Sequence, residues 1–355
     1  MSTLVVEVCE VNDILPHENA DLLEILIIKG WQVIAKKGFL KVGDKCVYFP
    51  PDSVMSPALA DRLGITKYLS PLGKNPDGTR PEGLRVRATR LRGIASYGTI
   101  MECENPDWEI GQDVKDHYGI TKYEPPIKIS DGDAAPEHPA LHRYTDIENI
   151  RNFPSIIVDG EEVIYSEKIH GCNCRLALIE GSFMAASHDV NRKEFNQKGI
   201  RSNFWNAFND QIKNLLTELS GEDNKSVILF GEIYGPGIQD MHYGMSKPEF
   251  VAFDISVDGS YLDYDTKVAL FSKYGIPMVP YLYRGPFTWH SMEYYTTGET
   301  TICDSEKAGK FAGREGIVIT PVKERYNFDL GGSGRVIFKS ISVDYLSRKG
   351  GTEYH

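Results

Sequence analysis

The stretch of sequence best suited to chemistry is residues 166–173, which bring one lysine, Lys168, to a tight turn at Gly171. A β-type apolar run at 163–165 precedes it, and a second apolar strand is predicted at 175–179. A lysine at the mouth of a strand pair, beside a glycine that lets a ligand approach the backbone, suits a covalent nucleophile. Taken alone, the pattern fits a hairpin with a solvated lysine more simply, because Lys-x-x-Gly occurs by chance in chains of this length.

Four more residues carry charge or an aromatic ring on predicted strands. Glu232 ends an apolar strand and Glu315 precedes one, whereas Phe253 and Lys339 lie inside apolar strands. A charged side chain in an apolar strand is costly unless it is paired or binds a ligand. Two carboxylates and two lysines on β-runs therefore predict one shared site for a polyanion and a metal ion.

Size and composition limit the classes of protein. At 355 residues the chain is long enough for two domains, and 41% apolar with 25% charged residues is ordinary for a soluble globular protein. The N-terminus lacks a secretory pattern, and no apolar stretch approaches the roughly 20 residues of a membrane span. Six scattered cysteines favour reduced thiols in a cytoplasmic protein over a disulfide or a metal site.

The net charge of −11 argues against coating nucleic acid by bulk attraction, but it leaves room for a local basic groove. One basic cluster stands out in the first third of the chain. Five arginines, predicted to form a ridge that contacts nucleic-acid phosphates, make up the cluster: Arg80, Arg85, Arg87, Arg90 and Arg92. The last four are the expected nucleic-acid-binding residues. The alternative is a strand edge kept charged to prevent aggregation.

Short strands with intervening turn signals predict a small β-barrel in residues 1 to about 120. The expected strands lie at 5–8, 22–28, 31–35, 45–49, 85–89 and 96–101. The sequence segments 17–21 and 43–44 resemble those of OB-type nucleic-acid-binding modules. A Pro- and Gly-rich linker is expected near 123–145.

The remainder of the chain mixes strands and helices. A helix is predicted from the N-cap Ser202 to Gly221, a second over 265–274 and a short third over 305–312. Buried strands are expected at 227–230, 250–255 and 336–341. The predicted fold class is therefore α+β.

Five segments in order resemble motifs I, III, IIIa, IV and V of the covalent nucleotidyltransferases, which comprise polynucleotide ligases and mRNA capping enzymes. They are residues 167–171, 230–235, 250–254, 314–318 and 338–340. The amino-acid sequences of these segments are most similar to those of ATP-dependent RNA ligases. The N-terminal module and the ending at 345–351 resemble the Deinococcus-type branch, the fifth RNA ligase family.

The resemblance covers essentially the whole chain and implies two domains. An OB-type β-barrel is expected at 1–122 and a linker at 123–145. Residues 146–355 would form an ATP-grasp-like nucleotidyltransferase domain of antiparallel sheets with flanking helices, which is the adenylyltransferase domain.

The resemblance also implies a reaction. Lys168 would attack the α-phosphorus of ATP to give lysyl-AMP, AMP would pass to an RNA 5′-phosphate, and a 3′-hydroxyl would displace it. Mg²⁺ or Mn²⁺ would be held by Glu232 and Glu315, and Lys339 would contact the α-phosphate. Phe253 would stack on adenine. Further ATP contacts would come from Glu167, Asn173 and Glu232.

Two departures from the motifs leave questions open. The arginine usual after the nucleophile strand is missing at 187–189, and Arg192 is a candidate replacement. Ile337 stands where relatives carry a first motif V lysine, so Lys339 acts alone unless Arg335 contributes.

The expected partner is RNA, as a nicked duplex or as free ends, with no membrane and no obligate protein partner. Nick sealing is favoured because the N-terminal module is the obvious specificity element. The alternatives are an RNA-binding protein whose nucleotidyltransferase domain no longer catalyses, and a capping-type guanylyltransferase. Capping enzymes normally place their OB fold after the lysine domain, whereas here it comes first.

Overall fold

The chain forms two units that interleave along the sequence. The first contains Met1–Ile127, Ile147–Ile156 and Ser340–His355, and the second contains Lys128–Asp146 and Ile157–Lys339. A computed structural model describes residues 3–74, 78–124, 132–303, 308–309, 311–348 and 351–352. Residues 125–131 of the predicted linker, and 304–307 and 310 of the predicted short helix, lie outside the described residues. The predicted domains run consecutively, and their boundaries stay a prediction.

The first unit is built mainly from short antiparallel strands. In chain order the elements up to residue 122 are β1 Glu7–Glu10, β2 Asp13–Pro16, β3 Leu23–Ile28, β4 Trp31–Lys36, β5 Lys45–Phe49, β6 Ser53–Met55, α1 Pro57–Arg62, a 3-10 turn Thr66–Tyr68, β7 Ser70–Pro71, β8 Leu84–Arg85, β9 Ala88–Leu91, β10 Ile94–Tyr97, β11 Thr99–Glu102 and β12 Thr121–Lys122.

These strands form four small sheets, in the orders β1-β5-β11, β2-β3-β4, β9-β10 and β12-β6-β8-β7. Alternate side chains face a shared core that includes Val8, Val47, Phe49 and Met101. The OB-type barrel predicted from strand spacing is confirmed as an OB fold.

The rest of the chain supplies larger sheets and most of the helices. In order the elements are β13 Glu148–Asn149, a 3-10 turn Ile150–Asn152, β14 Glu162–Lys168, β15 Cys172–Ile179, β16 Ser182–Ala186, β17 Asn191–Arg192, α2 Asn203–Asn206, α3 Asp210–Ser220, β18 Val227–Tyr234, β19 Glu249–Val257, β20 Ser260–Tyr261, α4 Tyr264–Tyr274, β21 Tyr281–Pro286, α5 Trp289–Thr296, β22 Gly316–Pro321, β23 Phe338–Ile341 and α6 Val343–Ser347.

The second unit has two large sheets. One has the order β17-β16-β15-β18-β19-β20, and all its strand pairs are antiparallel. The other places β23, β22, β14 and β21 side by side, and its β14–β21 and β14–β22 pairs are antiparallel. Helices α3 and α4 cover the first sheet with an apolar face that includes Ile212, Leu215 and Phe271. In the part of the chain that the structure describes, no helix is long and apolar enough to cross a membrane.

Several predicted elements are divided in the structure. The strand expected at 96–101 becomes β10 and β11, because Gly98 adopts φ +81° and packs against Phe49. The strand expected at 85–89 splits because β8 pairs with β6 and β7, whereas β9 pairs with β10. The helix after Ser202 stops at Asn206 and restarts at Asp210, where Asn209 provides a new N-cap.

The two strands flanking Lys168 do not pair with each other, contrary to the prediction of a strand pair. Strand β14 pairs with β21 and β22, and β15 pairs with β16 and β18. The turn at Gly171 therefore carries the chain from one sheet of the second unit to the other.

Candidate active site

Lys168 and Glu315 meet where β14 ends and β22 begins. The antiparallel register sets Lys168 opposite Gly316, which places the preceding residue, Glu315, next to the lysine. Lys168 Nζ donates to Glu315 Oε1 at 2.6 Å. Glu315 is 1% exposed, and the Lys168 side chain retains 13% exposure, so the amine faces an opening while the carboxylate is enclosed.

Glu232 is brought to the same place by the other sheet. It lies on β18 directly opposite Asn173 on β15, so the two side chains share one face of that sheet. A Cβ at Gly171 would lie 2.8 Å from Glu232 Cγ and 2.3 Å from the carbonyl oxygen of Ile233. Glycine at 171 therefore lets the nucleophile turn pack directly onto the Glu232 strand.

The two carboxylates have opposite electrostatic environments. Burial raises the pKa of Glu232 to about 8, the neighbouring Glu315 charge adds to this, and Lys168 opposes it only in part. Burial also acts to raise the pKa of Glu315. The positive charges of Lys168 and His170 outweigh it and lower the Glu315 pKa to about 2. One carboxyl group thus favours its proton while the other stays charged.

The residues present fit a divalent metal ion that takes further ligands from its substrate. Among the described residues, no group of three or more His, Cys, Asp or Glu side chains is arranged to hold a metal ion. Within the described residues the buried Asn173 Oδ1 has no hydrogen-bond partner, and Glu315 Oε2 has no neighbour closer than His170 Nδ1 at 3.6 Å among its ion-pair partners. Mg²⁺ commonly uses one or two carboxylates plus phosphates and water, so Glu232 and Glu315 suffice as its protein ligands.

Phe253 is the extra residue of a β-bulge. Phe230 pairs with Asp254 and Gly231 pairs with Ala252, which leaves Phe253 without a cross-strand partner. Its half-buried ring meets the edge of Tyr144 at 4.9 Å between centroids. A bulge that redirects one aromatic ring beside Gly231-Glu232 is compatible with base stacking.

Arg335, the candidate to assist Lys339 in motif V, is engaged within the second unit, and its contribution stays a prediction. Its guanidinium bonds to Asp254 at 2.6 Å and to Glu324 at 2.6 and 2.8 Å. Lys267 also reaches Asp254, at 3.0 Å, so the pKa of this fully buried carboxyl is lowered even though burial acts to raise it. Lys339 lies buried in β23, beside the strand that follows Glu315.

Glu167 uses both carboxylate oxygens inside the protein. Oε1 accepts from Thr300 Oγ1 at 2.5 Å, and Oε2 accepts from the amide and the hydroxyl of Thr301, each at 2.7 Å. Arg314 donates two hydrogen bonds to the Glu299 carbonyl oxygen in the same loop. The residues preceding Lys168 and Glu315 are therefore tied to one loop. The predicted contact of Glu167 with ATP stays a prediction.

Sequence reasoning missed the groups that hold the nucleophile turn. His170 Nε2 lies 2.7 Å from Asp240 Oδ1, and the Tyr243 hydroxyl accepts from the His170 amide at 2.8 Å. Gln239 Nε2 donates to the Gly171 carbonyl oxygen at 3.1 Å. All three partners lie in the loop after β18, whose only signal was its position directly behind the segment 230–235.

Arg192, the candidate replacement for a motif arginine, is engaged within the second unit. Its Nη1 donates to Asp133 Oδ1 at 2.7 Å, and its guanidinium lies 5.3 Å from the Phe204 ring centroid. Arg175 fixes the nearby 187–190 turn by donating to the Ser187 carbonyl oxygen. A role for Arg192 in binding the RNA 5′-phosphate stays a prediction.

In the first unit, three arginines of the predicted ridge hold the C-terminal segment. Buried Arg85 donates to Asp52 and to the Gly351 carbonyl oxygen, both at 2.7 Å. Arg87 donates to the carbonyl oxygens of Leu346 and Arg348, at 2.9 and 2.6 Å, and Arg90 pairs with Asp344 at 2.7 Å. Arg92 lies at a turn with φ +51° and is exposed. Nucleic-acid binding by these four arginines stays a prediction.

Comparisons with known proteins show which family models match this sequence. A family model for RNA ligases matches residues 161–341, and a model for an OB-fold domain matches residues 5–103. A comparison with curated protein sequences finds no match.

Solved structures of Naegleria gruberi RNA ligase are similar over nearly the whole chain. The enzyme with PPi, and a glutamate-to-alanine variant with ATP and Mn, each align at 25% identity with a TM-score of 0.74, covering 98% of both chains. An arginine-to-alanine variant with ATP and Mn aligns at 25% identity with a TM-score of 0.75, over 97% of this chain and 98% of that one. Since the RNA ligase model spans more than half of the sequence, the chain belongs to the RNA ligase family.

Proposed function

We propose that the protein is an ATP-dependent RNA ligase that works through a lysyl-AMP at Lys168. The observation that carries this is the 2.6 Å ion pair between Lys168 and Glu315, set against Glu232 at the junction of two sheets. The similar Naegleria structures hold ATP and Mn, which supports the same nucleotide and a divalent cation, Mg²⁺ or Mn²⁺, here.

The first step forms a bond between Lys168 Nζ and the α-phosphorus of ATP and breaks the bond to the bridging oxygen, so pyrophosphate leaves. Lys168 must lose its proton and withdraw from Glu315 before it attacks. AMP then passes to an RNA 5′-phosphate, which restores the lysine. In the last step a 3′-hydroxyl attacks that phosphate and AMP leaves.

The other site residues bind and orient ATP. Lys339 offsets charge on the α-phosphate, Phe253 stacks on the adenine, and Asn173 Oδ1 accepts from the nucleotide. Glu232 and Glu315 hold the cation, which supplies positive charge to offset the charge that builds on the reacting phosphate.

We further propose that the substrate is a nick in an RNA-containing duplex. The first unit, which contains the OB fold of residues 5–103 and is called the OB unit from here on, would be the element that selects it. The OB fold supports this, because such modules commonly bind nucleic acid. A cytoplasmic location is proposed because the six cysteines are scattered along the sequence, without the spacing of a disulfide framework or a zinc site.

The first step is tested by incubating the protein with α-labelled ATP and Mg²⁺ or Mn²⁺, followed by denaturing electrophoresis. We expect a covalent label on the wild-type protein and none on Lys168→Ala. Lys323→Ala is the matched control, because this exposed lysine of the same unit forms a surface ion pair with Asp263. Labelling of Lys168→Ala would refute the assignment of the nucleophile. Labelling by GTP in preference to ATP would indicate a capping-type enzyme.

Nick preference is tested with three substrates of equal sequence: a nicked duplex, a hairpin with an open end, and two free single strands. We expect the highest kcat/KM for the nicked duplex. Equal sealing of free strands would contradict the nick proposal without affecting the ligase assignment.

A further inference from the structure

The turn region between β4 and β5 presents three lysines to solvent. Lys36 opens a reverse turn that closes with a bond from the Phe39 amide to the Lys36 carbonyl oxygen at 3.0 Å. Lys41 opens a second turn, closed from the Asp44 amide at 3.0 Å. Buried Leu40 lies between the turns and fixes them to the barrel. Both turns are thus defined parts of the OB unit.

The lysines of this region are not neutralised within the described residues. Lys36, Lys37 and Lys41 are exposed and make no ion pair or side-chain hydrogen bond there. The nearby carboxylates serve the backbone instead. Glu24 accepts from the Gly38 amide at 3.0 Å, and Asp44 accepts from the Lys41 amide at 2.8 Å.

Apolar side chains accompany these cations. Phe39 is 37% exposed, Val42 59% and Leu22 77%. Leu22 is adjacent because its carbonyl oxygen accepts from the Lys37 amide at 2.9 Å. Lysines interleaved with an exposed aromatic ring match the chemistry of nucleic acid, in which phosphates alternate with flat, apolar base and sugar surfaces.

We propose that this lysine turn region, residues 36–42, is a contact surface for the sugar–phosphate backbone of the RNA substrate. The proposal deepens the proposed function, on which it rests for the class of substrate. The three lysines bind phosphates, and Phe39 packs on a base or sugar. In an acidic protein this patch gives the OB unit a local site for a polyanion, and its lysines, unlike Arg85, Arg87 and Arg90, make no side-chain bonds within the described residues.

The test is binding of a fluorescent nicked RNA duplex, without ATP, over a series of KCl concentrations. The triple variant Lys36→Ala, Lys37→Ala, Lys41→Ala should bind more weakly. Its slope of log K against log salt should be smaller by about 2 to 3, since each lost duplex phosphate contact removes about 0.9. A triple variant at Lys67, Lys74 and Lys115 removes the same charge from the same unit and should keep nearly the wild-type slope. Equal slopes in both variants would overturn the proposal.

The variant Phe39→Ala tests whether packing of the Phe39 ring contributes to RNA binding separately from electrostatic attraction by the lysines. We expect weaker binding with an unchanged salt slope, because no charge is removed. An unchanged affinity would show that Phe39 is not part of the RNA contact surface.

The readout is independent of the ligase assignment. Both triple variants should form lysyl-AMP at the wild-type rate, while the variant at 36, 37 and 41 shows a raised KM for RNA in sealing. If the wild-type protein formed no lysyl-AMP, the proposed function would fail. If lysyl-AMP formed normally and the salt slopes matched, only the surface assignment would fail.

Discussion

Glu232 and Glu315 show how one site gives two identical side chains different protonation. Glu315 is buried and contacts Lys168 directly, whereas Glu232 is half-buried and makes no hydrogen bond or ion pair within the described residues. Two adjacent carboxylates that both ionise repel each other, so the one without a cation keeps its proton until a positive ion arrives. Cation binding at Glu232, as proposed, would therefore be coupled to release of a proton.

The first prediction follows from this coupling. Because the pKa of Glu232 is about 8, a cation must displace a proton from it below that pH. The Mg²⁺ concentration needed for half-maximal lysine adenylylation should therefore fall as pH rises from 6 to 9. Titration of the initial adenylylation rate with Mg²⁺ at each pH measures this. A half-maximal concentration that stays constant over the range would show that Glu232 is already ionised at pH 6.

The same shift affects stability, in the direction set by proton binding. Glu232 binds its proton more tightly in the folded state, so its contribution is fully present below the unfolded pKa near 4.5. It is lost as pH rises through about 8. Glu315 has the opposite sign, and its contribution is lost as pH falls through about 2. Glu232→Gln should flatten the decline in urea stability between pH 5 and 9, and an equal decline in this variant would contradict the prediction.

Glu167 gives a second prediction at the residue scale. Replacing it with Gln removes an acceptor that faces the Thr301 amide, so the loop at 299–301 loosens beside Lys168. We expect the rate of lysine adenylylation to fall at least tenfold while the KM for ATP changes little. Loss of a buried acceptor also costs about 1–3 kcal/mol in stability.

Glu162→Gln is the matched control, since Glu162 begins the same strand but is exposed and pairs with Arg284. It should leave both parameters near wild type. A large rise in the KM for ATP in Glu167→Gln, with little change in rate, would instead support the predicted direct contact with ATP.

At the scale of elements, local pattern predicted strands well when one face was buried. The strand at 45–49 matches β5 fully, and the helix ended by Gly275 matches α4. Local pattern could not predict which strands pair, because pairing depends on chain segments far apart. The separation of β14 and β15 into different sheets, and the bulge at Phe253, are therefore visible only in the structure.

The charged residues of the site could be recognised from local sequence, because each lies in or beside an apolar strand. Lys168, Glu232 and Glu315 are costly residues in apolar strands, and the structure places them together. The loops holding them carry no such signal: Asp240, Tyr243 and Thr301 are ordinary loop residues until their partners are known.

Gly171 gives a prediction at this scale. A Cβ there would overlap the Ile233 carbonyl oxygen and Glu232, so Gly171→Ala should push the nucleophile turn away from β18. We expect lysine adenylylation to be nearly lost while circular dichroism stays close to wild type. Gly331→Ala is the control, because nothing lies within 4 Å of its added Cβ. Wild-type adenylylation in Gly171→Ala would show that the turn tolerates a shift.

At the scale of the whole molecule, the C-terminal residues are part of the first unit. The chain leaves the second unit after Lys339, and residues 340–355 are grouped with the barrel. Arg85 reaches the Gly351 carbonyl oxygen, and Thr352 Oγ1 donates to Asp52 Oδ2 at 2.8 Å. A domain defined as residues 1–122 alone lacks these partners.

The last prediction is that ending the chain after Ile341 destabilises the OB unit. Buried Arg85 and Asp52 each lose a partner, and Arg87 loses two carbonyl acceptors. Loss of a hydrogen bond to a charged group costs about 1.5–3 kcal/mol, while the Arg85–Asp52 ion pair itself remains. Hydrogen-exchange mass spectrometry should show faster exchange in β8 and β9 of the truncated protein.

Asp344→Ala tests whether the effect comes from buried contacts or from the exposed Arg90 pair. That ion pair is about 40% exposed on each side, at 41% and 44%, so its loss should cost less than about 1 kcal/mol. We expect exchange in β8 and β9 of this variant to match wild type. If Asp344→Ala and the truncation gave equal exchange, the surface pair rather than Arg85 and Arg87 would hold the C-terminal segment.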